Sequence, residues 1–202
     1  MRQLLLGTRN AGKIEELKHL LCDIENLELL TLSERPFAEV DETGETFLEN
    51  ALLKARTITE ETGLAVLAED AGLEVLALGG APGVRSARYA GTPVDFDRNN
   101  ELLIKSLEGV ADRCARFVAV AVLLLPDGQV FVTTGVLEGS IACASIGAGG
   151  FGYDPLFVPI GGTRTLAEQS IDEKNRISHR KQAMRRMRPI LEDLATEGSL
   201  RV

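Results

Sequence analysis

The chain has 202 residues, 45% hydrophobic and 26% charged, which is the composition of a globular protein built as one domain, or one domain with a lobe. A net charge of −8 argues against a general binder of DNA or RNA backbone, so any phosphate recognition requires a local concentration of donors. The same acidic balance suits a site that takes up a cation.

Gln3–Leu6 reads as a first strand, followed by Gly7-Thr8-Arg9-Asn10-Ala11-Gly12-Lys13 and a helix with Ile14, Leu17, Leu20 and Leu21 on one face. A strand, a glycine-containing turn and a helix start together form a phosphate seat: backbone N–H groups and the positive helix end face the anion, and Lys13 adds charge. Helix capping by Thr8 or Asn10 is the plainer reading, and the two are compatible. The stretch departs from a Walker A loop, because Gly12-Lys13 is followed by Ile14 rather than Ser or Thr.

Leu27–Leu32 is expected as a second strand, and Arg35–Gly44 as an acidic loop carrying Glu39, Asp41 and Glu42. Thr46 and Glu49 have the spacing of a capping box, which starts a helix running to about Thr62. Asn50 and Lys54 share one face of it, and spacing alone favours a solvated lysine. Leu64–Ala68 is a short unbroken apolar run that reads as a buried strand, delivering Glu69 and Asp70 where it emerges. Two acids there are able to hold a divalent metal or position a water, or simply to stand at a strand exit.

Leu73–Leu78 is expected as a short helix, and the glycine-rich Gly79–Gly91 as a loop with demanding backbone geometry. Asp95–Leu107 reads as a helix. Cys114–Leu125 and Gln129–Gly135 flank Pro126-Asp127-Gly128, a hairpin signal that makes the sheet mixed, and Leu137–Ser145 is expected as a further strand. In Gly147–Pro155, Phe151 and Tyr153 sit among glycines, where a ring either stacks on a base or plugs the core. Phe157–Ile160 is a short strand. Ser178 is expected to cap a last helix, His179–Leu194, which Pro189 should kink, with residues 196–202 frayed.

Cys22, Cys114 and Cys143 are odd in number and widely spaced, so they form neither a disulfide framework nor a zinc site and are expected as buried thiols. No signal peptide is visible, and the longest clean apolar run, Phe117–Leu125, falls short of a membrane span. A cytoplasmic protein with no membrane or nucleic-acid partner is expected.

Taken in order, TRNAGK at 8–13, ETGETFLENALLKA at 42–55, AEDAGL at 68–73, GGAPGVRSARYAG at 79–91, GFGYDP at 150–155 and SHR at 178–180 resemble one family over almost the whole chain. That family is the pyrophosphatases that remove inosine and xanthosine triphosphates (ITP, XTP) and their deoxy forms. The resemblance implies one α/β domain over 1–202, with an elongated mixed sheet flanked by helices and two lobes around a central cleft. It implies hydrolysis between the α- and β-phosphates with Mg²⁺, in a homodimer.

It further implies that Thr8, Arg9, Asn10, Ala11, Gly12 and Lys13 seat the triphosphate and that Lys54 reaches phosphate oxygens. Asp70 is the key acid, as metal ligand, proton acceptor or both. Asp41 is the favoured second metal ligand among the acids of 39–42, and Ala71 lines the site. Phe151, Gly152, Tyr153, Asp154, Lys174, His179 and Arg180 form the base end. His179 or Arg180 donating to a 6-oxo group would disfavour adenine, whose amino group is itself a donor. Four positions depart from the usual pattern: Arg9 stands for Gly or His, Glu69 for Asp and Ala71 for Ser, and Pro189 is unexpected past the SHR stretch. Two other functions compete with this one. A broad NTPase using 8–13 as a P-loop would turn over ATP and ITP equally, and a non-catalytic nucleotide-binding module would bind ITP without turnover.

Overall fold

A computed structural model describes residues 1–197. In chain order the elements are β1 (Arg2–Leu6), α1 (Ala11–Leu21), β2 (Leu27–Leu30), α2 (Phe47–Thr62), β3 (Ala65–Val75), α3 (Phe96–Ser106), β4 (Cys114–Leu124), β5 (Val130–Ile141), β6 (Phe157–Pro159), α4 (Ile171–Ile177) and α5 (His179–Glu197). Short 3₁₀ turns occupy Leu76–Leu78, Gly83–Arg88 and Leu166–Glu168. The six strands form one sheet in the order β2-β1-β3-β4-β5-β6. β1 runs parallel to both neighbours, with Leu5 opposite Leu30 on one side and Val66 on the other. β5 and β6 are antiparallel. The fold is therefore α/β with a mixed sheet.

The chain divides into two compact units. One comprises residues 1–70, 119–135 and the chain from Arg180 onward; the other comprises 71–118 and 136–179. Each has its own core. In the first, Leu5, Val66, Ala68 and Val122 of the sheet pack with Ala51, Ala55 and Ile58 of α2. In the second, Leu73, Val75, Phe117, Leu137 and Phe157 of the sheet pack with Leu103 of α3 and with Tyr153.

Local chemistry explains the helices that carry the site. Asn10 caps α1, its side chain accepting from the Lys13 N–H at 3.0 Å. The expected capping box of α2 is present: Thr46 Oγ1 accepts from Glu49 N–H, and the Glu49 carboxylate accepts from Thr46 N–H. The helix stops at Gly63, whose φ of +69° is the left-handed conformation that glycine adopts freely.

Several boundaries differ from expectation. β3 does not end at Ala68; it continues for 11 residues through Glu69 and Asp70 to Val75. Leu73 and Val75 are strand residues buried in the second unit's core, so only Leu76–Leu78 forms the expected helical turn. The acids thus lie inside a strand rather than at its exit. Gln129–Gly135 and Leu137–Ser145 are not two strands but contribute to one, β5. Gly139 keeps β5 close to β6, since a side chain there would collide with Val158 and the Phe157 ring. Residues 171–177 form a helix that apolar spacing did not announce, started by a capping box of Ser170 and Glu173. Ser178 closes α4, its N–H donating to Lys174 O, and α5 begins at the next residue. Pro189 lies inside α5, which continues past it to Glu197; the expected fraying at 198–202 lies outside the described residues. The three cysteines are exposed rather than buried, at a helix end, a strand start and a loop. Among the described residues, no helix is long and apolar enough to cross a membrane.

Candidate active site

The turn after β1 has little room. Gly7 N–H donates to Leu67 O at 2.9 Å, and a Cβ on Gly7 would sit 2.8 Å from Val66 Cγ1. Only glycine permits this approach of β1 to β3. Thr8 Oγ1 accepts from Asn10 N–H at 3.3 Å, Arg9 and Ala11 are exposed, and Gly12 and Lys13 lie in the first turn of α1. Helix capping is therefore observed at 8–13, in a turn that also presents a helix N-terminus and Lys13.

Lys13 connects this turn to β3: its Nζ lies 3.5 Å from Glu69 Oε1. Glu69 in turn receives two hydrogen bonds from Arg180, Nε to Oε2 at 2.7 Å and Nη2 to Oε1 at 2.6 Å, while Arg180 Nη1 donates to Glu16 of α1. Arg180, Glu69 and Glu16 are all buried. A buried charge persists only when paired, and here one guanidinium is paired with two carboxylates. Burial opposes the charge on Arg180, but Glu69 and Glu16 outweigh it and raise its pKa above the ordinary value. Burial also lowers the Lys13 pKa, opposed first by Glu69, with Lys54 and Arg180 lowering it further and Asp70 raising it. Lys13 thus lies within the field of both Lys54 and Asp70.

The second cluster is built by α2 and β3. Lys54 is not solvated; it stands on the buried stripe of α2, 8% exposed, because two acids receive it. Its Nζ lies 3.2 Å from Asp70 Oδ1 and 2.6 Å from Glu42 Oε1. Asn50, one turn earlier, donates from Nδ2 to Asp70 Oδ2 at 3.3 Å and accepts the Gly44 N–H on Oδ1 at 2.8 Å. One carboxamide therefore ties the acidic loop to the strand acid. The structure sets Glu42, rather than Asp41, beside Lys54 and Asp70; the Asp41 side chain is exposed. Ala71, half-buried, follows on the same strand.

The residues expected at a base end include a group in the second unit. Lys174 of α4 donates to Asp154 Oδ2 at 2.6 Å and lies 4.7 Å from the Phe151 ring centroid. Asp154 Oδ2 also accepts the Phe151 N–H at 2.8 Å. Gly150 is required here twice over: its φ is +71°, and a side chain would overlap the Asp154 carboxylate. At the start of α4, the Ser170 N–H first, and then Arg164, hold the Glu173 carboxyl down to about 2. His179 is buried, its ring stacked 4.9 Å from Phe117 at an interplanar angle of 10°. Gly152 is half-buried at φ +65°.

Two residues expected at the base end have other partners in the structure. The Tyr153 ring does not face a base: it is 3% exposed in the core, and its hydroxyl donates to Ser86 O at 2.9 Å. Burial first, then Tyr89, raises its pKa. Phe151, by contrast, is half-buried. Arg180 stands with Glu16 and Glu69 in the first unit, and Nε, Nη1 and Nη2 all donate to those carboxylates.

The sequence profile of the Ham1 family matches residues 4–190. The chain belongs to the Ham1 family. It is 48% identical over 191 residues to a dITP/XTP pyrophosphatase of Elusimicrobium minutum, covering 92% of this chain and 97% of that protein. It is also 48% identical over 198 residues to a dITP/XTP pyrophosphatase of Streptomyces coelicolor, covering 96% and 99%. Among solved structures, a Ham1 protein from Coxiella burnetii superimposes with a TM-score of 0.87 at 38% identity, over 96% of this chain and all of that one.

Sequence reasoning missed Glu16; it named Glu42 only as one of the acids of 39–42, behind Asp41, and Asn50 only as a neighbour of Lys54. Asn50 was readable as a partner of Lys54 on one helix face, but its tie to Asp70 depends on how α2 packs against β3. Glu16 gave no signal beyond a polar position on an amphipathic helix.

Proposed function

We infer that this protein hydrolyses non-canonical purine nucleoside triphosphates (ITP, dITP and XTP) to the nucleoside monophosphate and pyrophosphate, clearing them from the nucleotide pool. The observation that carries the reading is the Lys54 ammonium shared by Asp70 and Glu42, with Lys13 in the same field. Membership of the Ham1 family supports it.

The charges support a metal requirement. Lys13, Lys54 and Arg180 are three cations against the four carboxylates of Glu16, Glu42, Glu69 and Asp70. A triphosphate brings about four more negative charges, so a bare polyphosphate would be repelled without a divalent cation. Asp70 and Glu42 supply hard oxygen donors of the type Mg²⁺ prefers, and that ion needs few protein carboxylates because it keeps several waters. No group of three or more metal-ligating side chains occurs among the described residues. When bound, Mg²⁺ would neutralise phosphate charge and acidify a coordinated water.

The chain's own residues then have these parts. Residues 8–13 and Lys13 hold the polyphosphate. Asp70 takes the proton of the attacking water as its oxygen bonds to the α-phosphorus and the bond to the bridging oxygen breaks, releasing pyrophosphate. Asn50 and Lys54 fix the Asp70 carboxylate, and Lys54 offsets charge on the phosphates. Phe151 offers a stacking face. Lys174, Asp154 and His179 read the base edge, where His179 or Arg180 donating to a 6-oxo group accepts hypoxanthine and xanthine over adenine. Ala71 and Gly152 line the site. We read residues 1–202 as one functional domain of a cytoplasmic homodimer that takes a nucleotide substrate and neither nucleic acid nor membrane.

A substrate panel with Mg²⁺ and separate detection of pyrophosphate and orthophosphate tests this. ITP, dITP and XTP should each yield one pyrophosphate, ATP should react far more slowly, and Asp70→Asn should lower kcat about 10³-fold or more. Equal turnover of ATP and ITP, or tight ITP binding with no turnover at any metal concentration, would overturn the reading.

A further inference from the structure

α3 carries two consecutive asparagines, Asn99 and Asn100, which are 1% and 5% exposed. Neither position lies in the six stretches on which the resemblance was drawn. Asparagine is a mediocre helix former, and a buried carboxamide costs free energy unless its hydrogen bonds are made. Both side chains reach out of the helix to glycine-rich loops. Asn99 clamps the first: its Nδ2 donates to Ala87 O at 2.9 Å and Ser86 O at 3.4 Å, and its Oδ1 accepts the Ala90 N–H at 2.7 Å. Asn100 holds the second, donating from Nδ2 to Gly152 O at 3.1 Å. Its Oδ1 is buried with no partner among the described residues, where the carboxamide's bond is the one to Gly152.

Gly152 lies between the Phe151 ring and Asp154, the carboxylate that Lys174 grips. A left-handed glycine has no side chain to fix its peptide plane, so its carbonyl needs an external partner to define direction. Tyr153, the next residue, is anchored through Ser86 O, which Asn99 also engages. The two asparagines therefore tie both loops to one rigid helix.

Resting on the pyrophosphatase reading, we propose that Asn100 is a positioning residue for base recognition: by fixing the Gly152 carbonyl it holds Phe151 and Asp154 in the arrangement that distinguishes a 6-oxo purine from adenine. It touches the loop and not the reacting phosphates, so its loss acts on selectivity and KM rather than on the chemical step.

The test compares wild type with Asn100→Asp, which keeps the shape but replaces the donor by a repelling carboxylate, and with Asn100→Ser, which shortens the reach. Steady-state constants for ITP and ATP with Mg²⁺ are measured beside the thermal midpoint. The proposal expects KM for ITP to rise about tenfold in Asn100→Asp while kcat changes less than about twofold, with the ITP-to-ATP ratio of kcat/KM falling by a similar factor. A destabilised but correctly arranged enzyme would lose both activities together and keep that ratio. Variants that retain the wild-type preference would overturn the proposal, and so would failure of both to fold, which would make Asn100 a core residue. A wild-type protein without ITP turnover would sink the pyrophosphatase reading itself, and the proposal with it.

Discussion

Lys13 shows how one residue serves two demands. Its side chain is 14% exposed and its ammonium leans on Glu69, yet anion binding requires it to keep its proton. Burial lowers its pKa, and the neighbouring Lys54 and Arg180 add to that, while Glu69 and Asp70 oppose it. The sign follows: in the free protein the charge is lost at a lower pH than for a solvent-exposed lysine, so the affinity for polyphosphate falls on the alkaline side before an ordinary lysine would titrate. Because kcat/KM reports the free enzyme, its alkaline limb should carry this group. Lys13→Arg, whose guanidinium stays protonated, should move the limb to higher pH. Superimposable limbs in the two pH profiles would contradict the assignment. At this scale the sequence was legible in type more than in partner. Its pattern marked Asp70 and Lys13 for chemistry and only the resemblance marked Lys54, while adjacent acids on a loop look alike, and only the fold distinguishes the Glu42 side chain from that of Asp41.

At the scale of elements, Arg180 is the first-turn residue of α5 that joins three pieces of chain: Glu16 of α1, Glu69 of β3 and its own helix. Removing one partner from a buried ionic group leaves the others uncompensated. Arg180→Met should therefore lower the unfolding free energy by about 3–5 kcal/mol in a urea titration. A loss below about 1 kcal/mol, the range of an exposed ion pair, would contradict a buried triad. The boundaries the sequence misplaced share a cause. Glu69-Asp70 followed by Ala71-Gly72 has the local signature of a strand exit, but β3 continues because Leu73 and Val75 gain a second core. Lys54 looked solvated because helix spacing says nothing of the acids that a strand and a loop bring to it. Tyr153 and Phe151 are alternate residues of one loop, and the aromatic type alone does not say that the tyrosine is buried while the phenylalanine remains half-buried.

For the whole molecule, a chain of net charge −8 that handles triphosphates must gather its cations locally, and Lys13, Lys54 and Arg180 are gathered in one unit. The fold class was readable because a hairpin turn and two capped helices each leave a local mark; the expectation of two lobes came from the resemblance and not from local signals, because β3, β4 and β5 each run through both units. The central claim is that water attacks the α-phosphorus beside Asp70. Hydrolysis of ITP with Mg²⁺ in ¹⁸O-labelled water, followed by mass spectrometry of both products, tests it most directly. One ¹⁸O is expected in the inosine monophosphate and none in the pyrophosphate; label in the pyrophosphate, or release of labelled orthophosphate, would rule out attack at the α-phosphorus.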